Sequence, residues 1–269
     1  MLREEHQFDT EERGTREKEY FGHPLGLFML FFVEMWERFS FYGMKAILVL
    51  FMIAPKGTAN PGLGWTEGEA LALYGWYNMM VYFSSLLGGY VGDKVGQKAT
   101  IRVGVFIQMT GHFIMVIDSE TAFYLGLCFI VLGCGLLKPN ISTLVGRLYS
   151  PGDPRRDQGF TIFYIGINVG ALFSTLVVGY VGEQYNWHVG LFLAAIGMFI
   201  AQVIFCLGES RVRIRDHPDH LPAEESGEEQ SLSLAERDRL KLIGIVYLIT
   251  IVFWASFEQG GGLITIFIS

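Results

Sequence analysis

The chain has 269 residues, of which 51% are hydrophobic and only 17% charged, with 33 glycines among them. Such a composition belongs to a membrane protein and excludes a soluble enzyme. The net charge of −7 names no partner, because Asp and Glu crowd residues 1–24 and 209–240, and that distribution also excludes nucleic-acid binding.

A hydrocarbon core about 30 Å thick takes about 20 apolar residues per helix. On that measure, spans are predicted at about 25–54, 70–92, 99–117, 121–145, 159–182, 189–208 and 241–268. The first is no cleavable signal, since a long acidic segment precedes it and charges interrupt it. Cytoplasmic loops carry the excess of Lys and Arg. Here Arg3, Arg13, Arg16 and Lys18, then Lys94, Lys98 and Arg102, then Arg147, Arg155 and Arg156, then Arg211, Arg213, Arg215, Arg237, Arg239 and Lys241 all fall on one side. The other side holds only Lys56, so the N-terminus is expected in the cytoplasm. Cys128, Cys134 and Cys206 fall within spans and read as packing residues, not a disulfide framework.

Four units follow: a cytoplasmic segment 1–24, a six-helix bundle 25–208, a cytoplasmic linker 209–240, and a lone helix 241–269. The linker has two prolines and no apolar period until Ser233 and Glu236, which stand in capping-box spacing. Six helices, a long linker and one further helix are the pattern of two bundles with only the first helix of the second present.

The first span, "FFVEMWERFSFYGMKAILVLF", contains Glu34, Glu37, Arg38 and Lys45. At about 100° per residue these four, with Phe41 and Tyr42, occupy an arc of about 140°. An ionised group facing lipid costs at least ~2.5–3.5 kcal/mol, so the stripe must line a protein interior or a water-filled cavity. Lys138, in "GLLKPN" of span four, is another cation at membrane depth, and Glu37 is its expected partner. Pro139 beside it predicts a kink that frees backbone carbonyls. Asn168 sits between glycines and needs hydrogen-bond partners at that depth. Tyr42 and Tyr82 offer an aromatic wall with a polar tip. His112 reads as a packed polar residue. No nucleophile, metal cluster or phosphate loop argues for an enzyme, so no catalytic residue, metal or cofactor is assigned.

Four stretches carry a resemblance. "EMWERFSFYG" resembles the ExxERFxYYG motif on the first helix of the proton-dependent oligopeptide transporter family of the major facilitator superfamily. "GGYVGDKVGQKATI" resembles that family's first signature, with Gly89, Asp93, Gly96 and Lys98 fitting the GxxxDxxGxK loop motif. "FYIGINVGAL" is similar to its second signature, and "FWASFEQ" to the FWxxxEQ motif of helix seven. Two departures stand out. Phe41 replaces the first tyrosine of the usual pair, and Lys45 stands where many members carry arginine, losing the planar fork that grips a carboxylate.

The resemblance implies an all-α integral membrane protein of the major facilitator fold: the N-terminal six-helix bundle plus transmembrane helix 7, with the remaining C-terminal helices required for a full transporter. It implies symport of di- and tripeptides with protons across a cell membrane. In that reading Glu34, Glu37, Arg38, Lys138 and Glu258 couple the proton, and Arg38, Tyr42, Lys45, Tyr82, Lys138, Asn168 and Glu258 bind peptide. Gly89, Asp93, Gly96 and Lys98 act as a conformational latch. Gly260, Gly261 and Gly262 weaken helix seven enough to bend. The alternatives are a transporter of the same fold for another anion such as nitrate or a peptide-like compound, and a truncated, non-transporting half-bundle.

Overall fold

The computed structural model describes residues 19–212, 214 and 234–268. The expected cap at Ser233, and Arg3, Arg13, Arg16, Lys18, Arg213 and Arg215, lie outside them.

An unforeseen antiparallel hairpin opens the described chain, with β1 at Glu19–Tyr20 and β2 at His23–Pro24. Its two-residue turn has positive φ at both positions, 50° at Phe21 and 75° at Gly22, which matches the twist of the flanking strands. The hairpin is tied to the loop after the fourth helix, where His23 Nδ1 lies 2.9 Å from the Tyr149 hydroxyl and Arg155 Nη1 donates to Glu19 at 3.0 Å. Burial pushes the Tyr149 hydroxyl up to about 12, so it stays a neutral hydrogen-bonding group.

Helices follow in chain order: α1 Leu25–Ile53, α2 Glu67–Val95, α3 Gln97–Met115, α4 Glu120–Gly146, α5 Arg155–Gln184, α6 Trp187–Gly208 and α7 Leu234–Phe257. The segments Glu120–Gly146, Arg155–Gln184, Trp187–Arg211 and Glu236–Phe267 are long and apolar enough to cross a membrane by length and composition. α1 is also long, at 29 residues, but carries the charged residues Glu34, Glu37, Arg38 and Lys45. α2 begins at a full capping box, in which Thr66 and Glu69 each accept from the other's backbone N–H. Gly96, at φ +97°, makes the turn from α2 to α3, a conformation that favours glycine.

α1 packs against α5 and α6, while α4 packs against α2 and α3. The α2–α4 crossing is close because both helices present glycine. A Cβ on Gly88 would lie 2.0 Å from the Gly135 carbonyl oxygen. That carbonyl belongs to the residue four before Pro139, whose missing N–H leaves it without its helical donor. α4 nevertheless continues through Pro139 as one helix. Asn140 fastens the crossing by donating to Gly88 O at 2.8 Å.

α5 contains a π-helical turn at Thr175–Gly179. Val178 from this turn packs on Gly43 of α1 so tightly that a Cβ there would meet it at 2.7 Å. α7 ends at a 3-10 turn, Glu258–Gly261, before a short α8, Leu263–Ile268. The span expected as one stretch at 241–268 therefore starts earlier and breaks at the three glycines. Two apolar cores result. One gathers Leu27, Leu30, Ile101, Leu144 and Phe205 near the start of α1, and the other Ile47, Met52, Tyr77, Phe123 and Trp187 near its end. The charged stretch of α1 lies between them.

Candidate functional site

The charged stripe of α1 resolves into two ion-pair systems. Deep between the cores, Arg38 Nε donates to Glu34 Oε1 at 2.6 Å and lies 2.9 Å from Glu37 Oε2. Glu34, Glu37 and Arg38 are 2%, 0% and 7% exposed, so water does not solvate this triad. One cation between two carboxylates leaves an excess negative charge, and a third helix answers it: Gln108 Nε2 of α3 donates to Glu37 Oε1 at 2.8 Å. Arg38 also sits 5.9 Å from the Phe41 ring centre and 6.0 Å from that of Tyr42.

Two turns further along α1, Lys45 Nζ donates to Glu258 Oε2 at 2.5 Å. This bond joins α1 to the turn that follows α7. Tyr82 of α2 donates to the other oxygen of Glu258 at 3.4 Å, and the Tyr74 ring lies 5.4 Å from Lys45 Nζ. Glycine at 261 is needed for this approach, since a Cβ there would meet the Tyr74 hydroxyl at 2.3 Å.

Lys138 departs from expectation. It makes no ion pair among the described residues, and its Nζ lies 4.5 Å from the Phe41 ring centre and 6.0 Å from that of Tyr82. The expected Glu37–Lys138 pair is thus not formed. Arg38 and Gln108 already occupy the Glu37 oxygens, and Phe41 takes the space beneath the lysine. The residue that replaces a tyrosine of the family motif is therefore the one on which Lys138 rests.

The Lys45–Glu258 pair stands in the wall of a cavity of about 730 Å³ lined also by Tyr42, Asn168, Thr175, Tyr180 and Trp254. Asn168 lines the cavity and donates to Tyr164 O at 2.9 Å within its own helix. Glu34, Glu37, Arg38 and Lys138 do not line this space. The π-helical turn contributes Thr175 and Gly179 to the wall.

At the cluster of basic residues, the loop motif splits. Gly96 makes the turn, Gly89 lies against Pro139, where a Cβ would sit 3.9 Å from it, and Lys98 donates to the Val212 carbonyl. Asp93 is exposed, and its side chain bonds to none of the described residues. Arg102 grips Glu209 with Nε and Nη2, and Arg147 donates to Gln97 at 2.5 Å. His112 is 1% exposed, and neither ring nitrogen has a partner among the described residues. Sequence reading missed Gln108 and Tyr74. A glutamine in an otherwise apolar span was a visible signal; the tyrosine was one of 12 and carried none.

The model of the POT family matches residues 98–227. The chain belongs to the POT family. Among curated relatives of this POT-family chain, the uncharacterized transporter YclF of Bacillus subtilis (strain 168) is 47% identical over 197 residues, covering 72% of the chain and 40% of that protein. A di-/tripeptide transporter of Lactococcus lactis subsp. lactis (strain IL1403) is 42% identical over 241 residues, covering 88% of the chain and 46% of that protein. The chain thus spans about half the length of the curated relatives it matches or less. In structure it is similar to the peptide transporter POT crystallised with sulfate, with TM-score 0.71, 41% identity, and coverage of 91% of the chain and 48% of that one. It is also similar to a POT family transporter crystallised with 5-aminolevulinic acid, with TM-score 0.70, 35% identity, and coverage of 91% and 49%. The fold is accordingly the facilitator type: an N-terminal six-helix bundle with the first helix of a second one.

Proposed function

We propose that the chain supplies the N-terminal bundle and seventh helix of a symporter that carries di- and tripeptides with protons across the cell membrane by alternating access. The observation that carries this reading is the Lys45–Glu258 pair, because it joins the two halves at the wall of a cavity of about 730 Å³. A peptide zwitterion has one group for each partner. Its carboxylate competes with Glu258 for Lys45, and its ammonium group competes with Lys45 for Glu258. Tyr42, Tyr82 and Asn168 offer polar tips to the peptide backbone, while Lys138 and Arg38 supply further positive charge.

In this reading protonation of Glu34, Glu37 or Glu258 loosens an ion pair, and peptide arrival favours release of the proton inward. Gly89, Asp93, Gly96 and Lys98 act as a conformational latch. The basic clusters support a cytoplasmic location for the N-terminal segment 1–24 and the 209–240 linker. Residues 25–208 form one bundle, and 241–269 open the other.

Proteoliposomes holding the complete protein should accumulate labelled dialanine when an inward proton gradient is imposed, with excess unlabelled tripeptide competing. Gradient-driven uptake of nitrate without peptide would move the function to a same-fold anion transporter.

A further inference from the structure

Gln108 is fully buried in the middle of α3, and its amide is half used. Nε2 donates to Glu37 Oε1 at 2.8 Å, while Oε1 has no partner among the described residues. An unmet acceptor in such a place is costly unless another state of the molecule uses it. Glu37, itself 0% exposed, faces Glu34, Arg38 and Tyr42 on its own helix, Tyr77 from α2, Gln108 from α3 and Cys134 from α4, while the charge of Lys138 on α4 acts on Glu34. His112 follows one turn after Gln108 on α3. α5 and α6 approach this part of α1 through Gly170 and Gly197.

We propose that Gln108 is a positioning residue that holds Glu37 in both protonation states. As a carboxylate, Glu37 accepts from Nε2. When a proton binds a Glu37 oxygen, the amide turns by half a rotation and its Oε1 accepts the new O–H. No other group is consumed: the proton comes from the aqueous side to which the transporter is open and returns to water on the other. Arg38, freed from one carboxylate, then remains with Glu34 alone. Gln108 thereby sets the acidity at which the triad switches. This rests on the proton-coupled reading above.

The test reads Glu37 directly. In the complete protein reconstituted into vesicles, infrared difference spectra across a pH titration contain a neutral-carboxyl band identified by its loss in Glu37→Gln. A hydrogen bond to a charged group is stronger than one to a neutral group, so Gln108→Met should move half-maximal appearance of the band by about one pH unit toward alkaline. The band itself should move to the frequency of a free acid. A band and titration like those of the unaltered protein would overturn the proposal. Should Gln108→Met fail to fold, the swapped pair Glu37→Gln/Gln108→Glu carries the test. It should show a hydrogen-bonded acid band and recover the pH dependence of uptake that Glu37→Gln lacks; a folded swap with a free acid band would overturn the proposal. Absence of peptide uptake in the unaltered protein sinks the transport reading instead, and the band still decides the amide.

Discussion

At the scale of residues, the decisive contrast is between two lysines at membrane depth. Lys45 has a carboxylate at 2.5 Å, and Lys138 has an aromatic face at 4.5 Å. A cation over a ring is stabilised by less than one in a close ion pair, so removing the partner costs more at Lys45 than at Lys138. Two measurements follow. Lys45→Met strands Glu258, whose side chain is 20% exposed, so thermal unfolding in detergent should show a loss toward the lower end of about 3–5 kcal/mol, and adding Glu258→Gln should restore much of it. Glu37→Gln and Lys138→Gln should instead add to within about 0.5 kcal/mol in the double variant, as groups that share no bond do. A clearly smaller loss in that double variant would mean the two groups pair after all.

At the scale of elements, the helices and the charged face of α1 were legible because both follow from periodicity. Spacing put Glu34, Glu37, Arg38 and Lys45 on one arc, and the structure keeps the first three between two apolar cores, with Lys45 beside the second. What periodicity leaves open is how one helix turns against its neighbour. That rotation decides that Glu37 meets Gln108 of α3 and that Phe41 intervenes below Lys138. The π-helical turn of α5 was illegible for a related reason: "TLVVG" is ordinary apolar sequence, and its extra residue per turn is stabilised by Val178 seating on Gly43. The break at Gly260–Gly262, by contrast, follows from local backbone chemistry and was readable. The α2–α4 crossing offers a direct test. Gly88→Ala places a methyl group 2.0 Å from the Gly135 oxygen, an atom of backbone that cannot swing aside. The helices must separate, and the loss should be about 1–3 kcal/mol in thermal unfolding, with Asn140 losing its bond to Gly88. Unchanged stability would show that the crossing is looser than the geometry.

At the scale of the whole molecule, the two ends of the bundle differ in both charge and construction. One end carries Lys94, Lys98, Arg102, Arg147 and Arg155, and is tied by Lys98 to the segment after α6 and by Arg155 to the hairpin before α1. At the other end, Asn60 donates to Gly182 O at 2.8 Å and accepts from the backbone N–H of Trp187 at 3.0 Å. Such an asymmetry orients a protein in a membrane through the basic end, which stays in the cytoplasm. Single cysteines report it, in a background where Cys128, Cys134 and Cys206 are replaced by alanine or serine. Gly57→Cys is suited to the neutral end, being exposed with nothing near a Cβ, and Lys94→Cys to the basic end, where the side chain is also exposed. In right-side-out vesicles a membrane-impermeant maleimide should label Gly57→Cys at once and Lys94→Cys only after permeabilisation. The reverse pattern would invert the whole assignment, placing the hairpin and the linker outside, and would reverse the direction in which a proton gradient acts on the buried triad.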